Sequence, residues 1–130
     1  MSNSKDKILW VDCLGGLFVG GAVLSICKLL SDWESLPTTI VFFMGVVNLV
    51  YGCYSLFVVT RKPRPLLMIK ALAIANMFWL IVCLAIAIAF WQQISVLGLL
   101  HVVGEGIYVF AIGLTEWKWR VLLSDAKFEK

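Results

Sequence analysis

Charge is scarce in this sequence. Asp, Glu, Lys and Arg make up 15% of 130 residues, where soluble domains carry about a quarter. The apolar share is 62% and the mean hydropathy +0.95. A chain this apolar is neither disordered nor a water-soluble enzyme. The net charge of +3 is not gathered into a patch, so no nucleic-acid partner is expected. Histidine is nearly absent. His101 stands alone, which excludes two-His haem ligation and three-His metal sites within one chain. Cys13, Cys27, Cys53 and Cys83 form no Cys-x-x-Cys pair and read as small buried hydrophobes. Internal repeats and low-complexity segments are lacking. The expectation is no catalytic, cofactor-binding or metal-ligating set, and therefore no enzyme.

Long apolar runs are what the sequence does have. About 20 apolar residues are needed to cross a bilayer. Four stretches qualify, about residues 9–30, 38–59, 67–91 and 96–116. The first is too long for a cleaved signal peptide and lacks a convincing Ala-x-Ala site. The predicted fold is all-α, a four-transmembrane-helix antiparallel bundle. It forms a single integral membrane domain over residues 1–130, with tails at 1–8 and 117–130. Pro37 suits the first turn of the second span, and Pro63 and Pro65 separate the second span from the third. The short loops make sequential helices antiparallel neighbours.

Ten of the eleven basic residues fall on one side: Lys5, Lys7, Arg61, Lys62, Arg64, Lys70, Lys118, Arg120, Lys127 and Lys130. Only Lys28 lies toward the other. The positive-inside rule then puts both termini in the cytoplasm of a bacterial plasma membrane, its inner membrane. Trp10, Trp33, Trp91, Trp117 and Trp119 sit near span ends, as interfacial anchors do. The run Glu116-Trp117-Lys118-Trp119-Arg120 reads as such an anchor, followed by a short surface helix.

Ionisable residues inside a membrane are costly and face the bundle interior. Here they are Asp12, Lys70, His101 and Glu105, with Glu116 at the margin. His101, Glu105 and Tyr108 share one face of the fourth span by i, i+4 and i+3 spacing. Asn48, Tyr51 and Ser55 share a face of the second span; Asn76, Trp79 and Cys83 share a face of the third. Counting at 1.5 Å per residue from the cytoplasmic ends places Asn48, Asn76 and Glu105 in one layer, about 14–16 Å deep. The expected polar core is thus Asn48, Tyr51, Asn76, His101, Glu105 and Tyr108, from spans two, three and four, centred on Glu105. Asp12 and Lys70 are shallower and are expected to form an ion pair. Gly16 and Gly20, spaced as Gly-x-x-x-Gly, mark a helix-packing face.

Asp12, the segment Asn48-Leu49-Val50-Tyr51-Gly52-Cys53-Tyr54-Ser55, His101-Val102-Val103-Gly104-Glu105 and Glu116-Trp117-Lys118-Trp119-Arg120 carry a likeness. On them the chain resembles uncharacterised bacterial four-helix inner-membrane proteins, over most of its length. That resemblance implies the fold and the membrane, and no activity. Small multidrug transporters and fluoride channels match in size and span count alone. The deep Glu lies in the last span here, and the Asn-Gly spacing of the second span is one residue too long.

Two functions stay open on the sequence. One is a small proton- or cation-linked carrier or channel component centred on Glu105. The other is a non-catalytic membrane scaffold or accessory subunit whose polar core only fixes helix packing. Either works in the lipid bilayer, as a homo-oligomer or with a membrane-protein partner.

Overall fold

Pro37 and Pro65, which cannot continue a preceding helix, each stand just before a long one. A computed structural model describes residues 6–61 and 63–124. Its helices are α1 (Asp6–Ser25), α2 (Cys27–Glu34), α3 (Thr38–Thr60), α4 (Leu66–Ala89), α5 (Val96–Lys118) and α6 (Arg120–Leu123). By length and composition α1, α3, α4 and α5 are each able to cross a membrane. Lys5, Lys62, Lys127 and Lys130 of the charge asymmetry lie outside the described residues.

Pro37 has φ −56° and flanks α3 rather than occupying its first turn; Pro65 does the same for α4. Ser95 starts α5, its hydroxyl accepting the Gly98 N–H at 3.0 Å. The first span differs from expectation. It begins at Asp6, breaks at Ile26 and resumes as α2, which runs on to Glu34, past the expected end of the span at residue 30. Ser25 turns its hydroxyl back onto the Gly21 carbonyl at 2.7 Å, a local bond that favours such a bend. α2 ends at Ser35, whose φ of 55° is the left-handed conformation of a helix C-cap.

The long helices run antiparallel. Arg64, just before α4, bonds both Asp6 at the start of α1 and Leu123 beyond α5. At the other end, Ser95 N–H donates to the Glu34 carbonyl at 2.9 Å and Ser95 Oγ to the Trp33 carbonyl at 2.8 Å. The first is called the basic end below and the second the α2 end.

Close packing divides the bundle into two hairpins, α1 with α3 and α4 with α5. Glycine makes both possible. A Cβ on Gly16 would stand 2.9 Å from the Asn48 carbonyl oxygen, and one on Gly20 2.7 Å from Leu49 N. On α5, a Cβ on Gly106 would stand 2.9 Å from Cys83 Cβ, and one on Gly113 2.9 Å from the Ala73 carbonyl oxygen. Backbones this close gain dispersion contact that larger residues would prevent. Between the hairpins the seam is filled by larger side chains. Trp79 lies against Phe43 and Tyr51, with ring centroids 6.1 and 6.0 Å apart. Two apolar cores occupy the bundle. One includes Val41, Met44, Trp79, Cys83 and Val102; the other, at the basic end, includes Leu9, Val58, Ile69, Leu72 and Leu123.

Candidate functional site: two carboxyl clusters in the seam

Glu105 carries the first cluster. Its Oε1 accepts from Asn48 Nδ2 at 3.2 Å and its Oε2 from Trp79 Nε1 at 2.8 Å. One helical turn away, His101 Nε2 stands 3.4 Å from Glu105 Oε1. The opposite ring nitrogen, Nδ1, is 2.7 Å from Glu34 Oε2. The imidazole therefore has a carboxyl at each nitrogen. In its charged form it donates to both; in its neutral form it donates to only one.

Glu34 comes from α2 and is 1% exposed. Its place follows from the fold of that short helix. The Glu34 carbonyl accepts from Ser95, and a Cβ on Gly98 would stand 2.7 Å from that carbonyl oxygen. The closeness brings the end of α2 down onto the start of α5, so the Glu34 side chain points at His101.

Asn76 carries the second cluster. Its Nδ2 donates to Asp12 Oδ2 at 2.8 Å and to Glu116 Oε1 at 2.6 Å. Sharing the one Asn76 amide group makes the two carboxyls neighbours, with Ser55 near Asp12. Asn76 and Glu116 are both 0% exposed, and Asp12 is 7% exposed. A hydrogen bond between two carboxyls needs a proton on one of them, because an ionised carboxylate only accepts.

A cavity of about 40 Å³ lies between the clusters. Its lining takes Asp12 and Asn76 from the second cluster and Asn48 and Glu105 from the first, together with Tyr51 and Tyr108. It has room for a water molecule; most of its wall is apolar, and Asp12, Asn48, Asn76 and Glu105 are the side chains that can bond one.

The sequence-predicted core residues are thus divided. Asn48, His101 and Glu105 come together. Asn76, expected in the same group, bonds instead to Asp12 and Glu116. Tyr51 donates across the seam to the Ala75 carbonyl at 3.4 Å, leaving Glu105 to other donors. Tyr108 lines the cavity but is 52% exposed and makes no hydrogen bond to Glu105. The expected Asp12–Lys70 ion pair is replaced: among the described residues, Asp12 pairs with Asn76 and Glu116, and no ion pair joins it to Lys70. The reason is the face of α1, which turns Asp12 inward toward α4. Gly16 and Gly20 do mark a packing face, against α3.

Three participants escaped the sequence reading. Glu34 falls between the first two expected spans, 9–30 and 38–59, outside the polar core the sequence suggests. Trp79 was placed on the correct face, without its role as donor. Glu116 was assigned to the interfacial anchor, although it lies eleven residues after Glu105. Eleven residues are close to three helical turns, so the spacing itself puts both carboxyls on one face.

No protein-family model matches the chain, and neither a curated protein nor a solved structure does.

Proposed function

We propose that the chain is a small proton-linked carrier or channel component of a bacterial inner membrane, with both termini in the cytoplasm. It does no covalent chemistry. The observation that carries the reading is the cavity, a water-sized space in the seam between two hairpins that Glu105 and Asp12 both line. A core serving only to fix helix packing would pair its polar groups directly and leave no space beside its acids. Four further features support the reading. Carboxyls inside a membrane segment are costly to keep unless they are used. An imidazole bridges two of them. Asn48–Glu105 and Asp12–Asn76 cross the seam, while Trp79–Glu105 and Asn76–Glu116 stay within the α4–α5 hairpin, so the contacts across the seam can rearrange without unpacking either hairpin. The end carrying Lys7, Arg61, Arg64, Lys118 and Arg120 is the basic one, which the positive-inside rule places in the cytoplasm.

The test is proton flux. The purified chain, reconstituted in liposomes enclosing a pH-sensitive dye, should pass protons when a pH gradient is imposed. Glu105→Gln keeps the shape and most of the hydrogen bonds of Glu105 and should lose the flux while folding normally. Flux in Glu105→Gln equal to that of the parent would refute the reading. A parent as impermeable as empty liposomes would favour the scaffold.

A further inference from the structure

The polar residues of the seam form two groups that share a cavity but no direct hydrogen bond. The first runs Glu34, His101, Glu105, with Asn48 and Trp79 donating to Glu105. The second is Asp12, Asn76 and Glu116. Two carboxyls and a carboxamide, buried together, are unusual enough to ask what they hold.

The groups facing the pair come from every neighbouring helix. Asn76 faces it from α4 and Ser55 from α3. Cys13, the next residue on α1, is a buried free thiol. No lysine, arginine or histidine pairs with either carboxyl among the described residues. Coulomb repulsion between two ionised carboxylates at this separation would be large in a dry interior. A proton bound between them removes it. Two buried oxygens of the same cluster, Asn76 Oδ1 and Glu116 Oε2, have no hydrogen-bond partner. The buried Ser55 hydroxyl, also without a partner, has one hydrogen to offer, so two open acceptors leave room for a bound proton.

We propose that Asp12, Asn76 and Glu116 form a second proton-binding site, and that water in the adjoining cavity exchanges its proton with Glu105. The step balances with water alone. The Glu105 carboxyl gives its proton to the water oxygen as the same water gives a different proton to an Asp12 oxygen. Glu105 is left a carboxylate, Asp12 a carboxylic acid, and the water is unchanged. Asp12 then shares the proton with Glu116. His101 restores the Glu105 proton, drawing in turn on the side of Glu34. Asn76 acts as a positioning residue, its one amide group holding both carboxyls at bonding distance. This deepens the proposed function and rests on it only for the net direction of proton movement. The site itself stands without that reading.

The test is infrared spectroscopy of the full chain in lipid, with the four relevant variants compared at equal folded content. The parent should show a protonated-carboxyl stretch that shifts when the sample is moved into D2O. Asp12→Asn and Glu116→Gln should each lose that band, while Glu105→Gln keeps it. Gly15 lines the cavity, and a Cβ there would meet only the Tyr108 hydroxyl, at 3.9 Å. Gly15→Val should therefore fold normally, partly fill the cavity and keep the band, but lose its shift in D2O. Persistence of the band in both Asp12→Asn and Glu116→Gln would overturn the second site. An undiminished D2O shift in Gly15→Val would overturn the exchange through the cavity. A parent that shows the band but passes no protons across liposomes would sink the proposed function and leave the site standing.

Discussion

A guanidinium buried at the end of a helical bundle must find acceptors for its N–H groups, or it costs several kcal/mol. Arg64, 3% exposed, meets that demand with three separate elements. Nη1 bonds Asp6 Oδ1 at 3.0 Å and the Leu123 carbonyl at 3.2 Å, and Nη2 the Val59 carbonyl at 2.9 Å. It ties the start of α1 and the end of α3 to the turn after α6, around the apolar core of Leu9, Val58 and Leu123. Arg64→Met should lower stability by about 3–5 kcal/mol, because it leaves Asp6 buried without its cation. Asp6→Leu added to it should restore part of that loss. Thermal melts in one detergent would check both; a melting point unmoved by Arg64→Met would mean that the loop holds Arg64 in solvent. Nothing in the sequence separated Arg64 from Arg61 and Lys62, since all three count alike toward a charge bias. Glu116 was more legible, because its spacing from Glu105 was there to be read. Glu34 was not: its burial depends on a bend at Ile26 that hydropathy, continuous through that residue, does not register.

For the helices, glycine position decides what can be changed. Gly16 and Gly20 face α3, and Gly113 faces α4, each with backbone atoms of the other helix at 2.7–2.9 Å from where a Cβ would stand. Backbone cannot yield as a flexible side chain does. Gly16→Leu, Gly20→Leu and Gly113→Leu should each cost about 1–3 kcal/mol or more by overpacking. Gly21 and Gly104 have nothing within 4 Å. Gly21→Leu and Gly104→Leu should leave stability unchanged or raise it slightly, since leucine is the better helix former. Denaturation of the five variants side by side would show whether they sort this way. An equal effect at Gly20 and Gly21 would mean that the α1–α3 contact is drawn on the wrong face. The sequence pointed to Gly16 and Gly20 through their spacing, and that face is the packed one. It could not sort Gly104 from Gly106, which differ only in which side of α5 meets α4.

At the scale of the whole molecule, the four spans were readable because each needs only length and hydropathy. The pairing into two hairpins was less so, since it depends on which small residues oppose each other in space. Depth counting placed Asn48 correctly beside Glu105. It failed for Asn76, because equal depth does not say which neighbour a side chain turns toward. The result is a bundle with two close-packed hairpins and a seam that the long helices cross through Asn48 to Glu105, Asn76 to Asp12, Tyr51 to the Ala75 carbonyl and Tyr54 to the Met68 carbonyl. Arg64–Asp6 joins them at the basic end, and the Glu34–His101 and Ser95–Glu34 bonds at the α2 end. Packed cores resist gradual deformation, whereas an interface held by a few polar contacts can adopt a second arrangement. Changes in protonation should therefore move the hairpins against each other and leave each intact.

Distances between spin labels on the outer faces, in lipid at acidic and at alkaline pH, test this most directly. Phe18, Val50, Ile81 and Ile107 are exposed on α1, α3, α4 and α5. Each can be changed to Cys in pairs, in a chain whose four native cysteines are replaced by alanine. The account predicts that the pairs across the seam, 18 with 107 and 50 with 81, change distance with pH. The pairs within the hairpins, 18 with 50 and 81 with 107, should hold theirs. Four distances unchanged across the pH range, or a change within a hairpin as large as that across the seam, would contradict it.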